Sequence, residues 1–416
     1  MKNPVTGVTD MVRAINVRAI NPAPFGRHSR YMLSGYLRHI FMVAAALSVV
    51  ALAIDLWPQV PLLSVRNSGP LLGLAVAKLA VLRIFDLLPP FIPFAAFLGV
   101  VWSEVAFTES RERMLIWNSG RSPLQCLAPA VMAGLVMGVL VFVMDGFGRP
   151  AAMSVQIAET FGREGMRLDR SQSGGSHWIA IPNGLLRAEI EFGPPPRLHN
   201  ATIYKLDTLG HLSEVDTAQA ATPTGQGDDW LLETGHFWKE NNVAQGGTFS
   251  TATVTQEQET PFAKRVITVP LNLLWLRNIG MSPQYLSFAD LRALAHAKIL
   301  APDAAGFPTR LQALYSETLL TVAMALLASS LCMWLFAYRI SATRLILVLL
   351  AGYLAHFAVR AFLLMGEFGY VGAVTAGWAM PLFILMGVGG VLYAIQVRRG
   401  LAPSPGLMRF RGDPDN

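Results

Sequence analysis

Charge is scarce in this chain. Only 14% of its 416 residues are Asp, Glu, Lys or Arg, where a soluble domain carries about 25%. The shortfall is gathered into blocks, which excludes an ordinary water-soluble globule. Cysteine is nearly absent: Cys126 and Cys332 both fall in apolar stretches. They offer no disulfide framework and no metal-ligand spacing, and read as buried, inert thiols. There is no G-x-x-x-x-G-K-S/T loop to cradle nucleotide phosphates, no H-E-x-x-H and no G-x-S-x-G. Nucleotide hydrolysis, zinc peptidase and serine hydrolase chemistry are therefore unsupported. No catalytic residue, cofactor or metal is expected, and any work on a substrate must draw energy from a partner or a gradient. The net charge of +6 does not point to nucleic acid, because the excess arginine sits beside apolar blocks, where it meets anionic lipid headgroups.

What is present is a pattern of insertion. A spanning helix needs roughly 20 mostly apolar residues. Such stretches run at about Ile40–Trp57, Leu79–Phe107 and Leu124–Val143, the second broken by Pro89, Pro90 and Pro93. After a polar block come about Thr318–Ala337, Thr343–Met365 and Tyr370–Gln396, making six expected spans. Arginines mark alternate loops: Arg13, Arg18, Arg27, Arg30 and Arg38; then Arg111, Arg113 and Arg121; then Arg339 and Arg344; then Arg398, Arg399, Arg409 and Arg411. The positive-inside rule then puts both termini in the cytoplasm and the polar block outside, in a periplasm if the cell has one. Ala51-Leu52-Ala53 resembles a small-residue cleavage site, but the region before it is too long for a signal peptide, so the first span reads as an uncleaved anchor. The segment from about Asp10 to Ile20 interleaves apolar residues with arginines and reads as either a surface-lying helix or a tail.

Within the polar block the period changes to two from about Trp178. Leu186, Ala188, Ile190 and Phe192 alternate with Arg187, Glu189 and Glu191, the pattern of a half-buried strand. Similar runs recur at Ala201–Leu206, Leu212–Ala221, Trp230–Trp238 and Phe249–Gln256, separated by Gly, Pro, Asn and Asp. Evenly spaced short strands predict a sandwich or jelly roll, which either encloses a lipid chain or acts as a rigid spacer. A helix over about Phe288–Leu300 follows, with Ser287 as N-cap and Asp290 three residues on. The expected fold is a polytopic α-helical membrane protein with an inserted periplasmic β-jelly-roll domain. Its expected divisions are a cytoplasmic or interfacial segment 1–39, spans one to three over 40–149, the jelly roll over 150–312, spans four to six over 313–397, and a cytoplasmic tail 398–416.

Between the second and third spans, Glu109, Glu112, Arg113, Leu115, Ile116, Trp117 and Gly120 belong to a short stretch, about 109–120, that reads as a helix. Glu112, Leu115 and Ile116 fall at helical spacing, and Gly120 suits a helix stop. Such an element either docks a partner or packs as a linker on its own bundle.

These features together resemble the LptF/LptG permeases of lipopolysaccharide export, the YjgP/YjgQ family. Arg30-Tyr31 opens the first span and Ile54-Asp55-Leu56 closes it; Leu87-Leu88-Pro89-Pro90 leads through Pro93 to Leu98-Gly99. The stretch from Arg111 to Ser122 is similar to the family's S-E-L-x-x-L-x-x-x-G-x-S pattern, with Glu112 at the acidic position. Asp145 with Arg149-Pro150, Leu286-Ser287 and Gly366-Glu367 also fit. The resemblance covers the whole layout and implies one of two unlike permease subunits paired over a dimer of LptB-like ATPases. These would extract lipopolysaccharide from the inner membrane and pass it, by way of periplasmic jelly rolls, to LptC and an LptA bridge. It also implies that the 109–120 stretch is the ATPase-coupling helix. Ile54-Asp55-Leu56 and Gly366-Glu367 look more like LptG than LptF. Two departures stand out: Trp117 replaces a small or basic residue, and no basic residue precedes Asp55, a place Arg66 is a candidate to fill.

Ionisable groups inside spans are costly and default to functional candidates. Asp55, Lys78, Arg83, Asp86, His356 and Arg360 are the expected lipid-cavity residues, with Lys78, Arg83 and Arg360 as a cationic rim for lipid phosphates. Arg83 with Asp86, and Arg360 with Glu367, are equally readable as structural ion pairs. Two other functions compete: a membrane scaffold or assembly factor whose β domain binds proteins, and a small-substrate permease.

Overall fold

The computed structural model describes residues 26–66, 69–118, 123–168, 174–193, 195–225, 228–239, 259–301, 303–336 and 340–401. Asp10–Ile20, Phe249–Gln256, Gly120, Arg121 and Arg339 lie outside the described residues.

Among the described residues, six helices are long and apolar enough to cross a membrane, and a six-stranded sheet lies between the third and fourth. The first span is α1 (Arg27–Leu56), continued through a 3-10 turn at Trp57–Gln59 into α2 (Val60–Arg66). It outruns the expected Ile40–Trp57 because Pro58 stands at the start of the 3-10 turn, where its missing N–H breaks no helical bond.

The second apolar stretch divides. Helix α3 (Pro70–Leu87) carries Lys78, Arg83 and Asp86, a 3-10 turn follows at Pro89–Phe91, and α4 (Ile92–Glu109) completes the crossing. The candidate span is therefore Pro89–Glu109, not Leu79–Phe107. Consecutive prolines remove the donors a continuous helix would need. After Ser110, Arg111 takes a left-handed φ of 61°, and the chain turns into α5 (Glu112–Asn118).

Helix α6 (Pro123–Val143) runs through a π turn at Met144–Gly148 into α7 (Arg149–Ala158), followed by α8 (Gly162–Arg167). The third candidate span thus covers Leu124–Ala158. Gly148 allows the π turn to lie against α3, since a Cβ there would sit 2.5 Å from the ring of Phe85.

The strands are β1 (Gly174–Ile181), β2 (Gly184–Glu191), β3 (Arg197–Leu206), β4 (Leu212–Pro223), β5 (Asp229–Lys239) and β6 (Thr260–Thr268). All pair antiparallel, in chain order. Leu186, Ala188 and Ile190 are buried, with Glu189 and Glu191 opposite. The topology is simpler than the expected two-sheet roll: among the described strands each pairs only with its sequence neighbour, with no crossover. Short turns join β1 to β2, β3 to β4 and β4 to β5, because antiparallel neighbours need only hairpins. One face of the sheet is closed by helices. Trp275 and Leu276 of α9 (Leu273–Arg277), Leu291 and Leu294 of α10 (Phe288–His296), and Phe307 and Leu311 join its core. Ser287 caps α10, accepting the Asp290 N–H at 3.2 Å and donating to its carboxylate at 2.8 Å. The helix ends at His296, short of the expected Leu300, as Ala297 turns extended.

The last crossings are α11 (Gly306–Leu335), α12 (Ala342–Glu367) and α13 (Ala373–Leu401). Helix α11 is the hub. Its first turns pack on the sheet and the rest against α4, α6 and α13. Helices α1 and α12 are the least enclosed crossings. Ile346, Leu350, Tyr353 and Phe357 of α12 are exposed, an apolar face suited to lipid or another apolar surface.

Candidate functional site: a charged cavity and a fastened loop helix

At the sheet end of the bundle, the π turn, the start of α11, the end of α12 and the Ser282–Gln284 segment enclose a cavity of about 660 Å³. The charge on its wall is mixed: Arg149, Arg310 and Arg360 stand with Asp145, Glu317 and Glu367. Asp145, 2% exposed, is the pivot. Arg149 Nη1 lies 2.5 Å from its Oδ1, and Arg310 pairs with Oδ2. Arg149 Nη2 also donates to the Asp86 carbonyl at 2.7 Å, tying α3 to α7. A buried carboxylate is tolerated only when paired in this way. Arg360 is less committed. Its Nη2 donates to the Pro90 carbonyl at 2.6 Å, which leaves further donors of a planar fork near the cavity. Thr309, 1% exposed, lines the same wall, and its hydroxyl lacks a hydrogen-bond partner.

The six expected cavity residues divide. Arg360 lines the cavity, and His356 lines a small recess beside it, its ring tilted against Phe94 with centroids 5.2 Å apart. Asp55, Arg83 and Asp86 come together, but as an ion-pair cluster outside both linings. Arg83 Nε and Nη2 each donate at 2.7 Å to the two Asp55 oxygens, and Nη1 donates to Asp86 at 2.7 Å. Lys78 pairs with Glu159 at 2.5 Å. Tyr285 donates to Asp86 at 3.2 Å; burial, then the neighbouring carboxylate, raises the Tyr285 pKa.

At the opposite end of α4, helix α5 sits between the second and third crossings. Leu115 is 69% exposed and Met114 is exposed beside it. Glu112 lies toward α1, accepting from the Tyr31 hydroxyl at 3.4 Å, and Glu109 is exposed at the end of α4. Ile116 and Trp117 belong to α5, their side chains falling outside the description. Arg113 turns inward to Glu104, which is 1% exposed. Burial opposes the guanidinium's charge, but the Glu104 carboxylate more than offsets this and raises the Arg113 pKa.

Sequence reasoning passed over Glu104 and Glu317 as site residues. Both are lone carboxylates in apolar stretches, and that rarity was the available signal. Tyr36 and Ser329 carried none.

These features define a class: a multi-pass helical membrane protein with a β domain inserted between its third and fourth crossings. The family described as lipopolysaccharide export system permease LptF/LptG matches residues 30–394, and the chain belongs to it. It is accordingly a transport permease by family and an inner-membrane, multi-pass protein. The match does not divide LptF from LptG. Comparison with curated proteins gives no match.

Proposed function

We propose that this chain is the transmembrane permease subunit of an ATP-driven lipopolysaccharide exporter, the LptG-like member of an unlike pair. The observation that carries the proposal is the family match over residues 30–394, which takes in all six crossings and the sheet. The chain has no phosphate-binding loop, so an LptB-like ATPase dimer supplies the energy. Helix α5 offers it exposed Leu115 and Met114, with Glu112 beside them. Arginine placement sets both termini in the cytoplasm and the sheet in the periplasm. At the sheet end, Arg360 engages a lipid phosphate from the cavity wall, while Asp55, Arg83 and Asp86 hold that wall in place. The extracted lipid passes along the sheet toward LptC- and LptA-like proteins. Edge strands β1 and β6 each have one strand neighbour among the described residues and suit strand addition.

The test is gentle purification of the wild-type chain and Arg360→Glu from the native membrane at matched expression. Wild type is expected to bring an ATPase and lipopolysaccharide, identified by mass spectrometry, and the variant to lose lipid while keeping the ATPase. A wild-type preparation holding neither refutes the reading.

A further inference from the structure

Helix α5 has only seven residues, Glu112–Asn118. A helix that short does not hold itself in water, so its position depends on what fastens it. Met114 and Leu115 point outward, and the Tyr31–Glu112 contact is long, at 3.4 Å. Among the described side chains of α5, the firm inward attachment is Arg113, 6% exposed, whose Nη2 donates to Glu104 Oε1 at 2.9 Å.

That one oxygen gathers the bundle. Tyr36 of α1 donates to it at 2.6 Å and Ser329 of α11 at 2.8 Å, while Glu104 itself belongs to α4. Three crossings and the loop helix therefore meet at a single carboxylate. A buried ion pair differs from an apolar contact here. Apolar surfaces slide and repack, whereas separating buried charges is resisted steeply. The joint is stiff for small displacements.

It is also incomplete. Arg113 Nε and Nη1 are buried with no hydrogen-bond partner, so the guanidinium uses one of the bonds it could make. Buried donors left unmade weaken the seat. If Arg113 withdraws, Glu104 keeps the Tyr36 and Ser329 hydroxyls, so the carboxylate is not orphaned. Both the seated and the withdrawn arrangement are thus provided for in the same residues.

We infer that Arg113 and Glu104 are a positioning pair that transmits movement of α5 to the α1, α4 and α11 crossings, seated in one state of the transport cycle and withdrawn in another. This rests on the reading of α5 as the ATPase-docking element. A mere brace would support assembly alone; a transmitting joint sets how much lipid moves per ATP.

The experiment uses the full complex, the chain with its paired permease and ATPase, in membrane discs. ATPase retention, ATP hydrolysis and lipid release per ATP are measured for wild type, Glu104→Leu/Arg113→Leu and Arg113→Lys. The double variant removes both charges together, so no lone buried charge remains. It is expected to retain the ATPase and its hydrolysis while lipid released per ATP falls about tenfold, within the usual range of coupling between sites. Arg113→Lys, which can still make one charged bond to Glu104, is expected to keep most of the coupling. If the double variant does not assemble, Glu104→Gln/Arg113→Gln removes both charges while keeping an acceptor for the Tyr36 and Ser329 hydroxyls, and carries the same expected loss. Wild-type lipid release per ATP from the neutralised variant overturns the inference alone. A wild-type complex without ATPase removes the docking reading and, with it, this pairing.

Discussion

Arg83→Met separates a structural role for the α3 arginine from a role in lipid contact. The side chain of Arg83 is only 8% exposed, and its three bonds to Asp55 and Asp86 are each 2.7 Å. Removing one partner of a buried pair costs about 3–5 kcal/mol. The remaining partners place this site at the lower end. Among the described residues, Asp86 keeps Arg149 at 3.3 Å and Tyr285 at 3.2 Å, whereas Asp55 keeps only the Gln59 amide at 3.0 Å. A loss of about 3 kcal/mol is a little over two orders of magnitude in the folded ratio. Denaturant unfolding of the detergent-solubilised chain measures it, with lipid content determined on the same samples. Adding Asp55→Leu is expected to recover much of the loss, because the unpaired charge goes with it. Unchanged stability of Arg83→Met together with lost lipid would refute the reasoning and put the guanidinium on the headgroup.

Three further expectations follow from separate parts of the molecule. Gly99→Val places a Cβ 2.5 Å from the Ile40 backbone, so α1 and α4 must part by about 1 Å to restore ordinary carbon contact; a loss of about 1–3 kcal/mol is expected in the same unfolding assay, and an unchanged midpoint would show that the helices can separate freely. In the sheet, burial opposes the charge on Glu214, but Lys205 at 3.2 Å and Arg265 at 2.6 Å outweigh it and lower its pKa. Its contribution is therefore present above the unfolded carboxylate value of about 4.3 and lost as pH falls through the lower folded value; hydrogen exchange of β4 and β6 in the full chain is expected to quicken across that interval, and an identical acid profile in Arg265→Met would exclude this origin. Glu112→Lys is expected to reduce ATPase co-purification while leaving membrane insertion intact, and normal co-purification would remove Glu112 from the docking face.

Much of the architecture was legible because a bilayer and a sheet impose simple periods. Long apolar runs mark crossings whatever packs beside them. Alternation of Leu186, Ala188 and Ile190 with charged residues marks a strand on the same terms. Boundaries were less legible. The second crossing starts at the Pro89–Phe91 turn, and the third runs on through a π turn, because local backbone chemistry there competes with hydropathy. Ser287 was readable as a cap, since its bond to Asp290 lies within one turn.

The sequence by itself determined that this chain crosses a membrane six times around a β insertion, and its ordered motifs already pointed to the family, because hydropathy, turn chemistry and spacing are local quantities. Only the tertiary structure decided which charges meet. Asp145 finds Arg310 across 165 positions, Glu104 finds Ser329 across 225, and Arg83 turns to Asp55 rather than to the cavity. The pairing of a buried charge is set by which helices lie side by side, and adjacency of helices distant in the chain is not written in the period of any one of them.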